Sequence, residues 1–278
     1  MKDLFDKVSA RTSKMVTNRY STSFSLGIKL LNSEIRPAIY AVYGFVRLAD
    51  EIVDSFHDFD KKVLLDRFRE DTYRALDERI SLNPILNSFQ AAVHEYNMSR
   101  NHIDTFLDSM EMDLNNREYN QEGYEQYIVG SAEVVGLMCL KVFCLGDQKM
   151  YDDLEFYATR LGAAFQKINF LRDIKADYQT LGRTYFPGVE MSEFNQSVKS
   201  NIEADIQKDF MDGLSGIKKL PRSARFGVYV AFIYYYALFR KIRRIPSTQI
   251  FDRRVRISNK RKVGLLCYSY MRYQLNLL

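Results

Sequence analysis

Apolar residues recur at intervals of three and four along most of the chain. That period predicts about nine helices, over 35–53, 61–79, 84–96, 103–115, 123–145, 151–178, 203–214, 224–242 and 260–277. Turn and capping residues separate them, at Asn32-Ser33, Ser81 to Pro84, Asn115-Asn116, Gly146-Asp147, 181–188, Leu220-Pro221 and Ile245-Pro246. No stretch between helices is long or polar enough to be a linker, and no fixed-period repeat is visible. The expectation is therefore an all-α fold in which residues 1–278 form a single domain.

Composition supports this. Thirteen Gly and five Pro are few for 278 residues, where about 12% of a chain is usual. Sandwiches and barrels need many more turn residues. The hydrophobic share of 46%, with 19 Phe and 19 Tyr, is enough for one large core and excludes disorder. The longest strongly apolar run, 226–239, is shorter than the roughly 20 residues of a spanning helix and reads as a core helix. Cys139, Cys144 and Cys267 sit among apolar residues at spacings that suit neither zinc nor disulfides, so they read as small core hydrophobes. The first fourteen residues mix acids and bases without a secretory pattern, which predicts a cytoplasmic protein.

Two segments combine apolar helices with acids. In Tyr43-Gly-Phe-Val-Arg47-Leu-Ala-Asp50-Glu51-Ile-Val-Asp54, Asp50 and Asp54 share a helix face, with Arg47 one turn earlier. In Gln166-Lys-Ile-Asn169-Phe-Leu-Arg172-Asp173-Ile-Lys-Ala-Asp177, positions 166, 169, 173 and 177 trace one polar stripe beside Phe165, Ile168, Leu171 and Ile174. A lone Asp-x-x-x-Asp is usually a solvated face. Two such pairs, each within an apolar helix and each beside an Arg, instead suggest carboxylates facing one another around Mg²⁺, with Arg47 and Arg172 gripping a diphosphate. A di-iron site would need paired Glu-x-x-His motifs, which His57, His94 and His102 do not supply.

At these residues the chain resembles the squalene/phytoene synthase family. The similarity runs from Tyr20-Ser-Thr-Ser23-Phe24 through both acidic segments, Tyr127-Ile-Val-Gly-Ser-Ala-Glu-Val-Val-Gly136 and Gly182-Arg-Thr-Tyr-Phe-Pro187 to Arg254-Val-Arg-Ile-Ser258. Within the family it is most like the bacterial phytoene synthases of Bacteroidetes. The resemblance implies an isoprenoid-synthase helical bundle with a central cavity, and the head-to-head joining of two geranylgeranyl diphosphates through prephytoene diphosphate to phytoene, as in carotenoid biosynthesis. It places Mg²⁺, with Mn²⁺ as a substitute, on Asp50, Asp54, Asn169, Asp173 and Asp177. Substrate and diphosphate contacts fall on Ser21, Ser23, Tyr43, Arg47, Gln166, Arg172, Tyr235 and Arg254. Tyr127 would stand near the reacting carbons. Tyr20 departs from the pattern, standing where a His often opens the Ser-x-Ser motif, and Tyr234 and Tyr236 crowd the assignment of Tyr235.

No hydride enters such a reaction, so no NADPH is expected; the chain has no Gly-x-Gly-x-x-Gly loop, although squalene synthases of this fold lack one too. Two alternatives remain open: a squalene or dehydrosqualene synthase using farnesyl diphosphate, and a non-catalytic helical binding or assembly protein that kept the fold. Net charge is +5, yet residues 240–262 alone carry ten Lys and Arg against Asp252. Such a segment suits solvent, a diphosphate at Arg254, or peripheral contact with anionic lipid at the inner membrane face. No motif supports nucleic-acid binding. The oligomeric state is not legible.

Overall fold

The structure, a computed structural model, describes residues 1–115, 119–176, 185–187, 194–251 and 254–275. Among these there is no strand. The chain runs α1 (Lys2–Tyr20), α2 (Thr22–Lys29), α3 (Arg36–Ser55), α4 (Lys61–Glu78), α5 (Pro84–Glu95), α6 (Arg100–Asn115), α7 (Gln121–Ile128), a π-helical turn (Val129–Glu133) and α8 (Val134–Cys144). It continues through α9 (Gln148–Ala176), α10 (Gln196–Lys219), α11 (Arg222–Arg243), a 3₁₀ turn (Ser247–Gln249) and α12 (Asn259–Gln274).

Local chemistry explains the boundaries. Asp60, Asn83, Asn120, Asn195 and Ser258 cap the first turns of α4, α5, α7, α10 and α12 by accepting backbone N–H bonds, and Pro84 starts α5. After α8 the chain reverses through Leu145 and Gly146, both at positive φ (51° and 89°). α10 starts earlier and ends later than the expected 203–214.

α1 and α2 are not predicted by apolar spacing, and the reason is visible in what α1 buries. Its inward stripe is Ser9, Ser13 and Thr17, all fully buried. Ser9 and Thr17 hydroxyls donate to the carbonyls of Phe5 and Ser13, and Ser13 shares a 2.5 Å hydrogen bond with Ser88 of α5. Small, internally satisfied hydroxyls let α1 lie close against α3 and α5 without any hydrophobic signature.

Two apolar clusters meet at Phe143 and Val228. One, around α3 to α6, centres on Phe45, stacked at 3.9 Å on Phe89 and flanked by Phe68 and Phe106. The other joins α7 and α9 to α11. The run 226–239 lies within α11 and contributes to both, as expected of a core helix. Cys139 and Cys144 are half-buried and buried; Cys267, expected in the core, is exposed on α12 because the face of that helix which carries it has no neighbour. By length and composition Gln121–Cys144, 24 residues, could cross a membrane, but half of its most apolar part is buried inside the fold.

The π turn is squeezed between two helices. A Cβ at Gly130 would stand 2.6 Å from the Thr105 carbonyl of α6, and one at Gly162 of α9 would stand 2.6 Å from the Ala132 carbonyl. Backbone cannot yield as a side chain can. Gly162→Ala is therefore expected to destabilise the fold by about 1–3 kcal/mol, measured as a lower denaturant midpoint at unchanged slope.

Candidate active site

A cavity of about 610 Å³ lies between α2, α3, α8, α9, α10 and α11. The two helices that carry most of its polar lining divide it in the same way. Along α3 the wall passes from Ile39, Val42 and Val46 to Arg47, Asp50 and Asp54; along α9 it passes from Leu154, Leu161 and Phe165 to Gln166, Asn169, Arg172 and Asp173. Ordinary helix amphipathicity directs both stripes inward, and the charge is concentrated in the C-terminal half of each helix.

That placement is electrostatically unfavourable. A carboxylate near a helix C-terminus faces the negative end of the dipole, and burial penalises it again. Asp50 is the extreme case: burial first, then Asp54 and Asp113, push its carboxyl up to about 7, with Arg47 only partly offsetting them. Its side chain is 32% accessible, but into the cavity. Arg47 pairs with Glu51 and lies 3.9 Å from Asp50. Its guanidinium sits over the Tyr20 ring, 4.4 Å from the centroid, while its Nε is buried without a partner. Tyr20 thus meets Arg47 through a cation–π contact.

Asp173 is held from two sides. Arg172 donates to it from Nε (3.0 and 3.1 Å) and Nη2 (2.5 Å). Arg254 reaches it with Nε at 2.6 Å and Nη2 at 3.1 Å. The second contact brings the basic segment after α11 onto α9 across 81 positions of chain.

Tyr235 is the member of the 234–236 run that lines the cavity. Its ring stacks on Phe165 at 4.2 Å and lies 5.5 Å from Phe24, and its hydroxyl donates to Asn169 Oδ1 at 3.4 Å. Tyr234 bonds the Lys262 carbonyl and Tyr236 bonds Gln207. Burial raises the hydroxyl of Tyr43 to about 12, so this residue stays neutral over the working pH range. Ser21 lines the cavity and caps α2 by accepting from Phe24 N–H.

Of the residues singled out from sequence, twelve border this cavity. Ser23 does not; it is half-buried on α2, where the helix turn directs it away from the cavity-facing Ser21, Phe24 and Gly27. Asp177 and Gly182 lie outside the described residues. Ala132, Val135 and Gly136 form wall, whereas Gly130 packs on α6.

Sequence reasoning missed Asp113. This buried acid of α6 borders the cavity and accepts hydrogen bonds from three phenols: Tyr127 (2.7 Å), Tyr119 (3.1 Å) and Tyr185 (3.2 Å). Tyr127, the residue expected near the reaction, is thereby oriented by an anion. The available signal was an Asp extending the apolar stripe Ile103, Phe106, Leu107, Met110.

The donor chemistry suits a hard divalent cation: all-oxygen side chains, one of them protonated near neutrality for want of positive charge. Among the described residues, however, no three Asp, Glu, His or Cys side chains gather as a complete cage. Mg²⁺ characteristically uses one or two carboxylates and completes its shell with water and substrate phosphate. The paired carboxylates fit that pattern.

Residues 17–261 match the family model described as squalene/phytoene synthase. The chain is 28% identical over 196 residues to a 4,4'-diapophytoene synthase of Staphylococcus haemolyticus, covering 68% of this chain and 66%, just under two thirds, of that one. It is 24% identical over 275 residues to a 15-cis-phytoene synthase of a Paracoccus species, covering 92% and 88%. Among solved structures it superposes on a ligand-bound dehydrosqualene synthase with a TM-score of 0.81 at 20% identity, over 97% and 98% of the two chains; the all-α bundle is the fold of that enzyme.

Because a pKa above the unfolded value means that the folded state holds an extra proton, Asp50 lowers stability progressively as pH rises from about 4 to 7. Asp50→Asn removes that loss. In chelator, its melting temperature is expected to exceed that of the parent by a widening margin from pH 5 to pH 8, read by circular dichroism.

Proposed function

The chain belongs to the squalene/phytoene synthase family, whose members join isoprenoid diphosphates head to head, and we propose on that premise that it condenses two geranylgeranyl diphosphates into phytoene. One observation carries the reaction type: arginines and carboxylates of α3, α9 and the segment after α11 gather at one part of a cavity whose remaining wall is apolar. The length of the substrate is supported by the Paracoccus phytoene synthase, the relative described above whose alignment runs along most of both chains. The Staphylococcus relative and the dehydrosqualene synthase structure favour a second reading, the same chemistry on farnesyl diphosphate.

In the proposed reaction the diphosphate of one substrate is received by Arg47, Arg172 and Arg254, whose planar donors match phosphate oxygens. Gln166 and Asn169 orient it, with Tyr235 holding Asn169. Asp50, Asp54, Asn169 and Asp173, with Asp177, would hold Mg²⁺, which supplies neutralisation of the charge that grows on the departing diphosphate. The C1–O bond breaks, leaving an allylic cation; the double bond of the second substrate attacks it, and loss of a proton closes the cyclopropane of prephytoene diphosphate. Departure of the second diphosphate, rearrangement and loss of a further proton give phytoene, so no external hydride is consumed.

The apolar and aromatic wall keeps water from these cations. Phe165 and Phe170 offer π faces, and the neutral phenols of Tyr43 and Tyr127 add dipoles without nucleophilic charge. Asp113 orients Tyr127, while the three donated hydrogen bonds blunt its own carboxylate against capture of the cation.

Incubation with geranylgeranyl diphosphate and Mg²⁺ is expected to yield phytoene by chromatography; turnover of farnesyl diphosphate alone would show that the second reading is correct. Asp173→Ala is expected to lower kcat by about 10²–10³ while far-UV circular dichroism stays unchanged, and retained turnover would remove Asp173 from the site.

A further inference from the structure

One stripe of α9 runs the length of the cavity. Leu154, Ala158, Leu161, Phe165, Asn169 and Arg172 follow one another at steps of three and four, and all of them border the cavity. Asn169 and Arg172 belong to its polar end. Ala158 is the one small side chain on the stripe, so the wall is recessed there, between Leu154 and Leu161.

The neighbouring ring is held out of the recess. Tyr157 also borders the cavity, but its hydroxyl accepts a hydrogen bond from the exposed Lys219 at 2.9 Å, whose ammonium lies 4.3 Å from the ring centre. Gly216 of α10 makes the room: a Cβ there would stand 2.2 Å from the Tyr157 Cβ. On another side, a Cβ at Gly136 of α8 would stand 3.0 Å from the Ala158 carbonyl. This turn of α9 is thus clamped between two helices, and its backbone cannot recede from a larger side chain.

Depth gives the recess its meaning. From Asn169 back to Ala158 the helix covers eleven residues, about 16 Å, and from Asn169 to Leu154 fifteen residues, about 22 Å. An extended prenyl chain gains roughly 1.25 Å per main-chain carbon, so farnesyl spans about 15 Å and geranylgeranyl about 20 Å. A chain lying along α9 with its diphosphate beside Asn169 therefore stops short of Ala158 if it is farnesyl and must pass it if it is geranylgeranyl. Space continues beyond. α10 runs antiparallel, with Gly213 against Leu161 and Gly216 against Tyr157, so its Ile217 and Leu220 border the cavity past the recess.

We propose that Ala158 sets the length of prenyl chain this cavity accepts, its small side chain admitting a fourth isoprene unit while Gly216 and Lys219 keep the Tyr157 ring out of the passage. This rests on the reading of the cavity as an isoprenoid diphosphate site. It concerns which chain fits, not which substrate is turned over.

Binding of analogues that do not ionise separates the two. With Mg²⁺, geranylgeranyl and farnesyl thiolodiphosphates, in which sulfur replaces the oxygen on C1, are both expected to bind the parent in isothermal titration calorimetry. Ala158→Leu is expected to weaken the geranylgeranyl analogue by about tenfold or more and the farnesyl analogue by less than about twofold, with far-UV circular dichroism unchanged. Ala158→Val is expected to show the same selectivity to a smaller degree, and it decides the matter if the leucine variant does not fold. Equal weakening of the two analogues, no weakening of either, or a parent that binds only the farnesyl analogue overturns the proposal. Turnover restricted to farnesyl diphosphate, together with selective loss of the longer analogue in Ala158→Leu, overturns the substrate reading and leaves this one standing.

Discussion

Carboxylates on the inward faces of two apolar helices are the constraint around which this molecule is arranged. Burial and the negative helix end both oppose ionisation of Asp50, and desolvation of an unpaired carboxylate costs several kcal/mol. Much of the surrounding structure answers that cost. Arg172 and Arg254 share Asp173, Arg47 lies between Asp50, Glu51 and the Tyr20 ring, and the segment after α11 folds back to deliver Arg254. Asp50 remains the least compensated, and its raised carboxyl identifies where positive charge is still wanted.

The long apolar walls have their own support. Behind the π turn, Glu133 pairs with Arg160, which also reaches Asp209, and Asp209 pairs with Lys167. Arg160, Lys167 and Asp209 do not border the cavity, so α9 and α10 are interlocked by charge behind the apolar part of its wall. Gly130 and Gly162 let the π turn sit close to both neighbours, which sets where Ala132 stands in the wall.

Much of this was legible in the chain. A 3.6 period survives wherever a helix buries apolar residues, so α3 and α9 and the register of their acids follow directly from spacing. What was hidden depends on packing rather than pattern. α1 buries Ser9, Ser13 and Thr17, which look like a solvated face until the partner helix is known. Asp113 stands alone in its segment and acquires meaning only from phenols that α7 and the chain near 185 bring to it. Among three consecutive tyrosines, the choice of Tyr235 comes from the rotation of α11 against Phe24 and Phe165. Cys267 misled because its apolar neighbours belong to an uncovered face.

The double clasp on Asp173 makes ligand entry an exchange of partners. Arg172 and Arg254 both hold the acid, so these three charges are paired with one another in the cavity. Under the proposed function, a metal ion arriving alone would compete with Arg172 and Arg254 for the carboxylate, and a diphosphate arriving alone would draw the same arginines off it. With both present, one rupture would serve two new associations. Linkage would then have each strengthen the other's binding by the same factor, and the clasp would weaken the hold on either one alone.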